Sequence, residues 1–207
     1  MLRSVRDLQN RPLVDPSGER RGLVKDLYFD DQTWSIRYFV VVPSTRLAGQ
    51  KQVLLTPEQL LLDDQNDVLR LTIAASEFSK LPLANSVQPV CKQYESISLS
   101  SPGSQNFRRH AAAADPFLRS ARVVSNYGIF VGSEFVGTLS DLLYDDGNWA
   151  IRHLAAEQVA DGRTVRFHIV PEAVKRFTWA TQRVVLHKLQ PVTLEPQVAT
   201  VVDEAAA

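Results

Sequence analysis

Apolar and polar side chains alternate in two neighbouring stretches near the start of the chain. Residues 23–29 alternate partly, the polar segment 30–33 follows, and alternation resumes at Trp34 and runs into the Val-rich segment that ends at Val42. Alternation with a period of two is typical of a strand with one buried face, and aspartates suit a turn because their side chains bond nearby backbone N–H groups. The pattern predicts a β-hairpin.

The same pattern occurs twice. Residues 22–37 read GLVKDLYFDDQTWSIR and residues 137–152 read GTLSDLLYDDGNWAIR, with eight of sixteen positions identical at an offset of 115. Leu-Arg-Ser at residues 2–4 recurs at residues 118–120, and Leu-Leu-Thr-Pro-Glu at 54–58 resembles His-Ile-Val-Pro-Glu at 168–172. Because a repeat of this kind defines the architecture, the chain is predicted to contain a duplicated unit of about 80 residues.

Each unit carries further signals of short elements. Gly22 and Gly137 precede the hairpins, where a bend or a close backbone approach is expected, and Pro43 ends the second strand of the first unit. Pro57 and Pro171 are each followed by an acid, which predicts a short helix start. Late alternating strands are predicted at 68–73 and 184–189. Several short strands in so few residues favour a mainly β fold with a small barrel in each unit.

The predicted organisation has four segments. A first barrel spans 1–84 and a second spans 117–196, joined by an irregular linker at 85–116 that is rich in serine, proline and alanine. The segment 197–207 is predicted to be a flexible tail.

Charge and composition limit the possible functions. The chain has 23 basic and 23 acidic side chains, and neither unit has the basic excess that binding to a phosphate backbone requires. Direct binding of nucleic acid is therefore not expected. No apolar run is long enough to cross a membrane and no secretory signal is visible, so a cytoplasmic location is expected, with peripheral membrane association left open.

Cysteine and histidine give no sign of a reactive or metal site. Cys91 is the only cysteine, which excludes an intramolecular disulfide and a zinc site built from several thiolates. The four histidines do not recur between the units, and His168 and His187 lack partners at metal-ligand spacing. Neither a catalytic constellation nor a cofactor motif is present, so no enzyme activity, metal or cofactor is predicted.

These motifs together resemble the PRC-barrel family. The resemblance rests on Leu-Arg-Ser, a later Gly, then Asp-Leu and Asp-Asp-x-x-Trp-x-Ile-Arg, a Val-rich strand and a Pro-Glu helix start, and it spans residues 2–83 and 115–192. It implies two small all-β barrels in tandem, each with a short helix. Members of the family act as interaction modules in photosynthetic reaction centres and in a ribosome-maturation factor, and many free-standing members have no assigned role.

The paired acids Asp30–Asp31 and Asp145–Asp146 are the first candidates for a binding role. Paired carboxylates could bind a divalent cation, but adjacent aspartates in a tight turn are more often turn formers that face water. The turn interpretation is favoured for both pairs.

The tryptophans and arginines that follow the turns are the other candidates. Trp34 and Trp149 could anchor a partner, although a tryptophan that opens a strand more often closes the core. Arg37 and Arg152 could bind an acidic partner, or could pair across strands with Asp26 and Asp141 respectively.

The leading functional hypothesis is a non-enzymatic protein-interaction or assembly module, with a protein partner of unknown identity or a second copy of the chain. An accessory role in RNA processing or ribosome maturation is one alternative. A peripheral regulator of a photosynthetic or electron-transport complex is another. All three rest on analogy with the family.

Overall fold

The computed structural model describes residues 1–44, 52–86, 89, 115–160 and 162–188. Most of the predicted linker, including Cys91, and the predicted tail lie outside the described residues. The elements follow the order of the chain. Strands are β1 Leu2–Ser4, β2 Pro12–Val14, β3 Arg20–Asp30, β4 Ser35–Pro43, β5 Val53–Leu55, β6 Leu60–Asp63, β7 Val68–Leu71, β8 Leu118–Ser120, β9 Gly128–Val131, β10 Glu134–Asp145, β11 Ile151–Ala160, β12 Arg163–Ile169, β13 Val174–Thr178 and β14 Arg183–Leu186.

Helices are few and short. The α-helices are α1 Ala75–Phe78 and α2 Ala121–Val124, and 3-10 helices span Arg6–Leu8, Pro57–Gln59, Ala84–Ser86 and Pro171–Ala173. The Pro-Glu signals therefore mark real helix starts, although the helices are single 3-10 turns. α1, α2 and the turn at Arg6–Leu8 were not predicted, because four residues or fewer leave no helical period in the sequence.

The fold is mainly β, as the alternation predicts, and its strands form two seven-stranded sheets with matching order. One sheet has the order β5-β4-β3-β2-β7-β6, and the other has the order β12-β11-β10-β9-β14-β13. In each, the long hairpin pairs antiparallel (β3 with β4, β10 with β11), and the strand before it pairs parallel with the last strand (β2 with β7, β9 with β14). The repeat in the sequence is therefore also a repeat of topology.

The seventh strand of each sheet comes from the other half of the chain. β1 pairs antiparallel with β10, with Leu2 opposite Asp145, and β8 pairs antiparallel with β3, with Leu118 opposite Asp30. The two Leu-Arg-Ser segments are thus exchanged reciprocally between the halves. Ser35 and Ala150 form a further antiparallel bridge between the halves.

Bulges occur at equivalent places in the two hairpins. The register of β3 against β4 shifts between Val24 and Asp26, and that of β10 against β11 shifts between Leu139 and Asp141. Gly22 lies on the same ladder, where a Cβ atom would meet the carbonyl oxygen of Val42 at 2.5 Å. The close approach predicted at this glycine is confirmed.

One continuous hydrophobic core joins the halves. Most buried aliphatic and aromatic side chains of both sheets belong to one contacting cluster, which includes Leu27 and Phe39 from the first sheet and Leu142 and Leu154 from the second, and a smaller cluster surrounds Leu118. The described ranges hold 79 residues in the first half (1–44 and 52–86) and 73 in the second (115–160 and 162–188). A unit of this size buries little surface alone, and a shared core increases the apolar area removed from water. In the part of the chain that the structure describes, no helix has the length and apolar character needed to cross a membrane.

Candidate functional site

The two turns that carry the candidate acids and tryptophans lie where the two halves meet. The turns after β3 and β10 lie next to each other, because Ile36 N–H donates to the Trp149 carbonyl at 3.0 Å and Ile151 N–H donates to the Trp34 carbonyl at 2.7 Å. Both tryptophans have left-handed backbone conformations, with φ of 53° for Trp34 and 59° for Trp149. This conformation is unusual for a bulky residue, and the reciprocal hydrogen bonds hold it in place.

The first acid of each pair forms its turn, as predicted. One oxygen of Asp30 accepts hydrogen bonds from the backbone N–H groups of Gln32 at 2.8 Å and Thr33 at 2.9 Å. Asp145 accepts one from Gly147 N–H at 3.0 Å. Burial raises the pKa of the Asp30 carboxyl, but the bonds from Thr33 and Gln32 outweigh it, so the net pKa is lowered. Such bonds favour the charged form.

The expectation that these acids face water is wrong for the first pair. Asp30 is only 7% exposed and Asp31 only 9%. The physical reason is the strand exchange, because β8 covers β3 up to Asp30 and Asp31 N–H donates to the Phe117 carbonyl at 3.0 Å. A turn in an isolated hairpin would be open to solvent. Here the other half of the chain covers it.

The expected partners of the two arginines are also wrong. Arg37 pairs with Asp30 at 3.1 Å, and Arg152 pairs with Asp145 at 3.6 Å. Arg37 is the extra residue where the register shifts between Tyr28 and Phe29. The bulge therefore directs it to the turn rather than across the ladder.

Asp26 and Asp141, the partners that the sequence favoured for the arginines, instead fix the exchanged strands. Ser120 Oγ donates to Asp26 at 2.5 Å, and Ser4 Oγ donates in the same way to Asp141. Arg122 N–H also donates to Asp26, at 3.0 Å. Burial raises the pKa of Asp26 despite these hydrogen bonds.

Both tryptophans pack against the core, as the favoured interpretation predicts, and both contact the opposite half. Trp34 lies 6.1 Å from Phe29 of its own hairpin and 5.9 Å from Phe177 in β13, measured between ring centroids. Trp149 stacks on Tyr144 at 5.3 Å and meets Phe39 edge-on at 5.2 Å. Aromatic pairs at these distances add to the burial of apolar area. The tryptophans therefore join the halves.

The second acid of each pair has a different environment in each half. Asp146 accepts the N-terminal ammonium of Met1 at 2.7 Å on Oδ1 and Arg3 Nε at 2.6 Å on Oδ2. Those bonds lower the pKa of Asp146. Asp31 accepts Arg119 Nε at 2.7 Å on Oδ2, while its buried Oδ1 has no hydrogen-bond partner in the described structure.

The titration of Asp31 follows from this environment. Burial raises the pKa of its carboxyl, and Arg119 offsets the rise only in part. Desolvation penalises a charged carboxylate unless its oxygens are bonded, and one oxygen of Asp31 lacks such a bond among the described residues.

A cleft opens beside Asp31 and Arg119, at the junction of the halves. Its volume is about 710 Å³, within the size range of ligand sites. Its aromatic side chains are Trp34, Phe117 and Phe177, and four cationic side chains line it: Arg119, Arg152, Lys175 and Arg176. Two acids, Asp31 and Glu172, complete the charged lining. Asp30, Arg37, Asp145, Asp146 and Trp149 are outside this lining.

The sequence patterns did not mark Arg119 or Phe117 as candidate site residues. The signal that could have marked them was the repeated Leu-Arg-Ser, which is identical in the two halves although each copy is only a three-residue strand. Its arginine contacts the second acid of the opposite turn in both copies. Strand exchange is a long-range feature that local patterns do not encode, so the sequence did not show which turn each arginine would meet.

The histidines include one unexpected pair. The rings of His153 and His168 stack with their centroids 5.7 Å apart. Burial lowers the pKa of His153, and the neighbouring His168 lowers it further. Within the described ranges, no group of three or more His, Cys, Asp or Glu side chains could hold a metal ion.

The comparisons with known proteins concern the first half of the chain. A search of curated proteins gives no match. Among protein families, the model described as the PRC-barrel domain matches residues 2–77. The predicted resemblance is therefore confirmed for one copy: residues 2–77, which include the exchanged strand β1 and the hairpin of β3 and β4, are similar to the PRC-barrel domain.

Proposed function

We propose that the chain is a non-enzymatic protein-interaction and assembly module built from two PRC-type barrels, one at 1–84 and one at 117–196. The proposed binding surface is the cleft between them. The observation that carries this proposal is an open cleft of about 710 Å³ next to the shared core, lined by residues of both halves.

The lining of the cleft suits a protein partner. Phe117 is a large apolar side chain with 45% of its surface exposed at the cleft, and partially exposed aromatic residues are frequent anchors in protein interfaces. Lys175 and Arg176 are exposed and form no ion pair with any described residue. Apolar anchors within a charged rim are the usual anatomy of an interface.

The pairing of the halves explains why two copies would be kept in one chain. Each half supplies a strand and part of the core to the other. The cleft also takes residues from both, with Asp31 and Trp34 from the first half and Phe117 and Phe177 from the second. A single copy would lack the complete cleft.

A site-specific photo-crosslinker tests the proposal. A benzophenone amino acid at Phe117 is expected to crosslink to one dominant protein in an extract of the source cells. The matched control is Phe135, which is 51% exposed but lies outside the cleft. Position 135 is expected to give no such product. Equal products from both positions, or none from 117, would contradict the proposal, and capture of a second copy alone would identify the partner as the chain itself.

The identity of the captured protein also separates the alternatives. Ribosomal proteins captured from position 117 would favour the accessory role in ribosome maturation. Subunits of a membrane electron-transport complex would favour the peripheral regulator.

A further inference from the structure

The two halves provide an internal comparison for the chemistry of the cleft. Arg3 and Arg119 occupy the same place in the repeated Leu-Arg-Ser strands, and each donates its Nε–H to the second acid of the opposite turn. The two arginines differ in what their other nitrogens contact. Because the two positions are equivalent, the partners of Arg3 indicate what kind of group the Arg119 guanidinium can bind.

All three nitrogens of the Arg3 guanidinium donate hydrogen bonds to carboxylates. Its Nη1 donates to Asp64 Oδ1 at 2.8 Å and its Nη2 donates to Asp64 Oδ2 at 2.5 Å. This is the bidentate geometry in which an arginine fork matches both oxygens of a carboxylate. Arg3 thus holds two carboxylates, one on Nε and one on the Nη pair.

The guanidinium of Arg119 has fewer hydrogen-bond partners than that of Arg3 among the described residues. Nε bonds Asp31, and neither Nη forms a hydrogen bond or ion pair with any residue that the structure describes. The reason lies in the turn that corresponds to the one carrying Asp64. Residues 64–67 read Asp-Gln-Asn-Asp, whereas residues 179–182 read Trp-Ala-Thr-Gln. Both turns end on a left-handed residue, Asp67 and Gln182, which confirms the alignment.

The charges around the two arginines also differ in a consistent way. Next to Asp64, Arg11 contributes a second cation, with Nη1 at 3.8 Å. Beside Arg119, the cations Lys175 and Arg176 line the cleft and form no ion pair with any described residue, whereas Arg152 pairs with Asp145 at 3.6 Å and Glu172 adds one acid to the lining. Among the described residues, the opening by Arg119 thus has cations and two Nη groups without a hydrogen-bond partner, and no carboxylate takes the place that Asp64 occupies on Arg3.

We infer that the cleft binds a carboxylate on the two Nη groups of Arg119, in the geometry that Asp64 adopts on Arg3. The inference rests on the proposed function, because the carboxylate is supplied by an aspartate or glutamate side chain of the protein partner. The aromatic side chains Trp34 and Phe117 contact the apolar part of the same partner segment. Neutral net charge of the chain gives no comparable support for a nucleic-acid ligand.

The test uses the full chain labelled with ¹⁵N and observes arginine side-chain signals by NMR. The probe is an acetylated and amidated Gly-Asp-Phe-Asp-Gly peptide, and its control replaces both aspartates with asparagine. The aspartate peptide is expected to shift the Arg119 guanidinium and Trp34 indole signals. The asparagine peptide is expected to bind at least fivefold more weakly, because a neutral amide removes the charge-assisted bonds, each of which has about twice the strength of a neutral one.

Two lysine variants make the test specific. R119K keeps the positive charge but removes the fork, and it is expected to weaken binding of the aspartate peptide about tenfold, the effect of losing about 1.4 kcal/mol. R3K is the matched control, because its guanidinium is already occupied by Asp64, and binding is expected to be unchanged. A K175E/R176E double variant at exposed positions is expected to weaken binding without a change in fold.

The inference is overturned if R119K binds the aspartate peptide as tightly as the native chain, or if R3K weakens binding equally. It is also overturned if inorganic phosphate binds at Arg119 more tightly than the peptide. If glutarate binds as tightly as the peptide while position 117 captures no protein, the carboxylate site stands and the proposed function fails. If position 117 captures a partner but the peptide leaves Arg119 unshifted, the proposed function stands and this inference fails.

Discussion

The two halves have the same topology, but the second acid of the turn has different surroundings in each half. In the second half, Asp146 is enclosed by Arg3 and the N-terminal ammonium, and Arg3 is in turn held by Asp64. In the first half, Asp31 pairs with Arg119, and a cleft of about 710 Å³ opens beside them. A few substitutions in one turn thus separate a closed network from an open site, while the strand exchange that positions both arginines is retained.

The largest expected difference between the halves concerns the exchanged leucines. Leu118 is fully buried, whereas its equivalent Leu2 is 47% exposed. L118A is expected to lower the free energy of unfolding by about 2–5 kcal/mol, because a buried leucine truncation loses transfer energy and leaves a cavity. L2A is expected to change it by less than about 1 kcal/mol. Urea unfolding of both variants measures the difference.

Equal effects of L118A and L2A would contradict the asymmetry of the exchange. If both changes were small, strand β8 would not be anchored in the first sheet. If both were large, Leu2 would have to be buried by residues that the present structure does not place against it.

A smaller effect is expected at the aromatic residue before the turn. Tyr144 is fully buried and its hydroxyl has no hydrogen-bond partner among the described residues, whereas the equivalent residue of the first half is Phe29. Y144F is expected to raise the free energy of unfolding by about 1 kcal/mol, because it removes a buried polar group that lacks a partner. Thermal and urea denaturation measure this gain, and a loss of stability would indicate that the hydroxyl has a partner.

The smallest effects are expected in how stability depends on pH through Asp31 and Asp146, the second acid of each pair. Because burial raises the pKa of Asp31 above 3.8, the folded state holds its proton more tightly, and the contribution of this group to stability is lost as pH rises through the raised value. Asp146 has a lowered pKa, so its contribution is present above 3.8 and is lost as pH falls. D31N and D146N are therefore expected to change the slope of stability against pH in opposite directions.

Carbon-detected NMR of the two carboxyl groups and urea unfolding between about pH 3 and pH 7 measure these effects. The native residues Asp31 and Asp146 are expected to titrate on opposite sides of 3.8. Titration of both below that value would contradict the account of Asp31 as a desolvated carboxylate.

Local patterns in the sequence were sufficient for the hairpins and for the similarity to the PRC-barrel domain. Alternation predicted β3 and β4, and the aspartates predicted the turn, because both depend on neighbouring residues. The same reasoning misplaced the partner of Arg37, since a bulge at this residue changes which side chain it faces. It also missed the burial of Asp31, which depends on a strand nearly 90 residues away in the chain.

The cleft could not be predicted for a related reason. Phe117 and Arg119 reach Asp31 through the exchange of β8, and Phe177 lines the same cleft from β13. The repeat itself contained a relevant difference, because residues 64–67 include two aspartates whereas the equivalent residues 179–182 include no acid. The difference becomes interpretable only when the arginine that faces each turn is known.

The central claim is that Arg3 and Arg119 occupy equivalent positions, and that within the described residues the Nη groups of Arg3 bond Asp64 whereas those of Arg119 bond no partner. The most direct measurement is ¹⁵N NMR of the arginine side chains in the chain without added ligand, with R3K and R119K used to assign the signals. The account predicts slow rotation and resolved Nη protons for Arg3, and a protected Nε–H with averaged Nη protons for Arg119. Resolved Nη protons on Arg119, or averaged ones on Arg3, would contradict it.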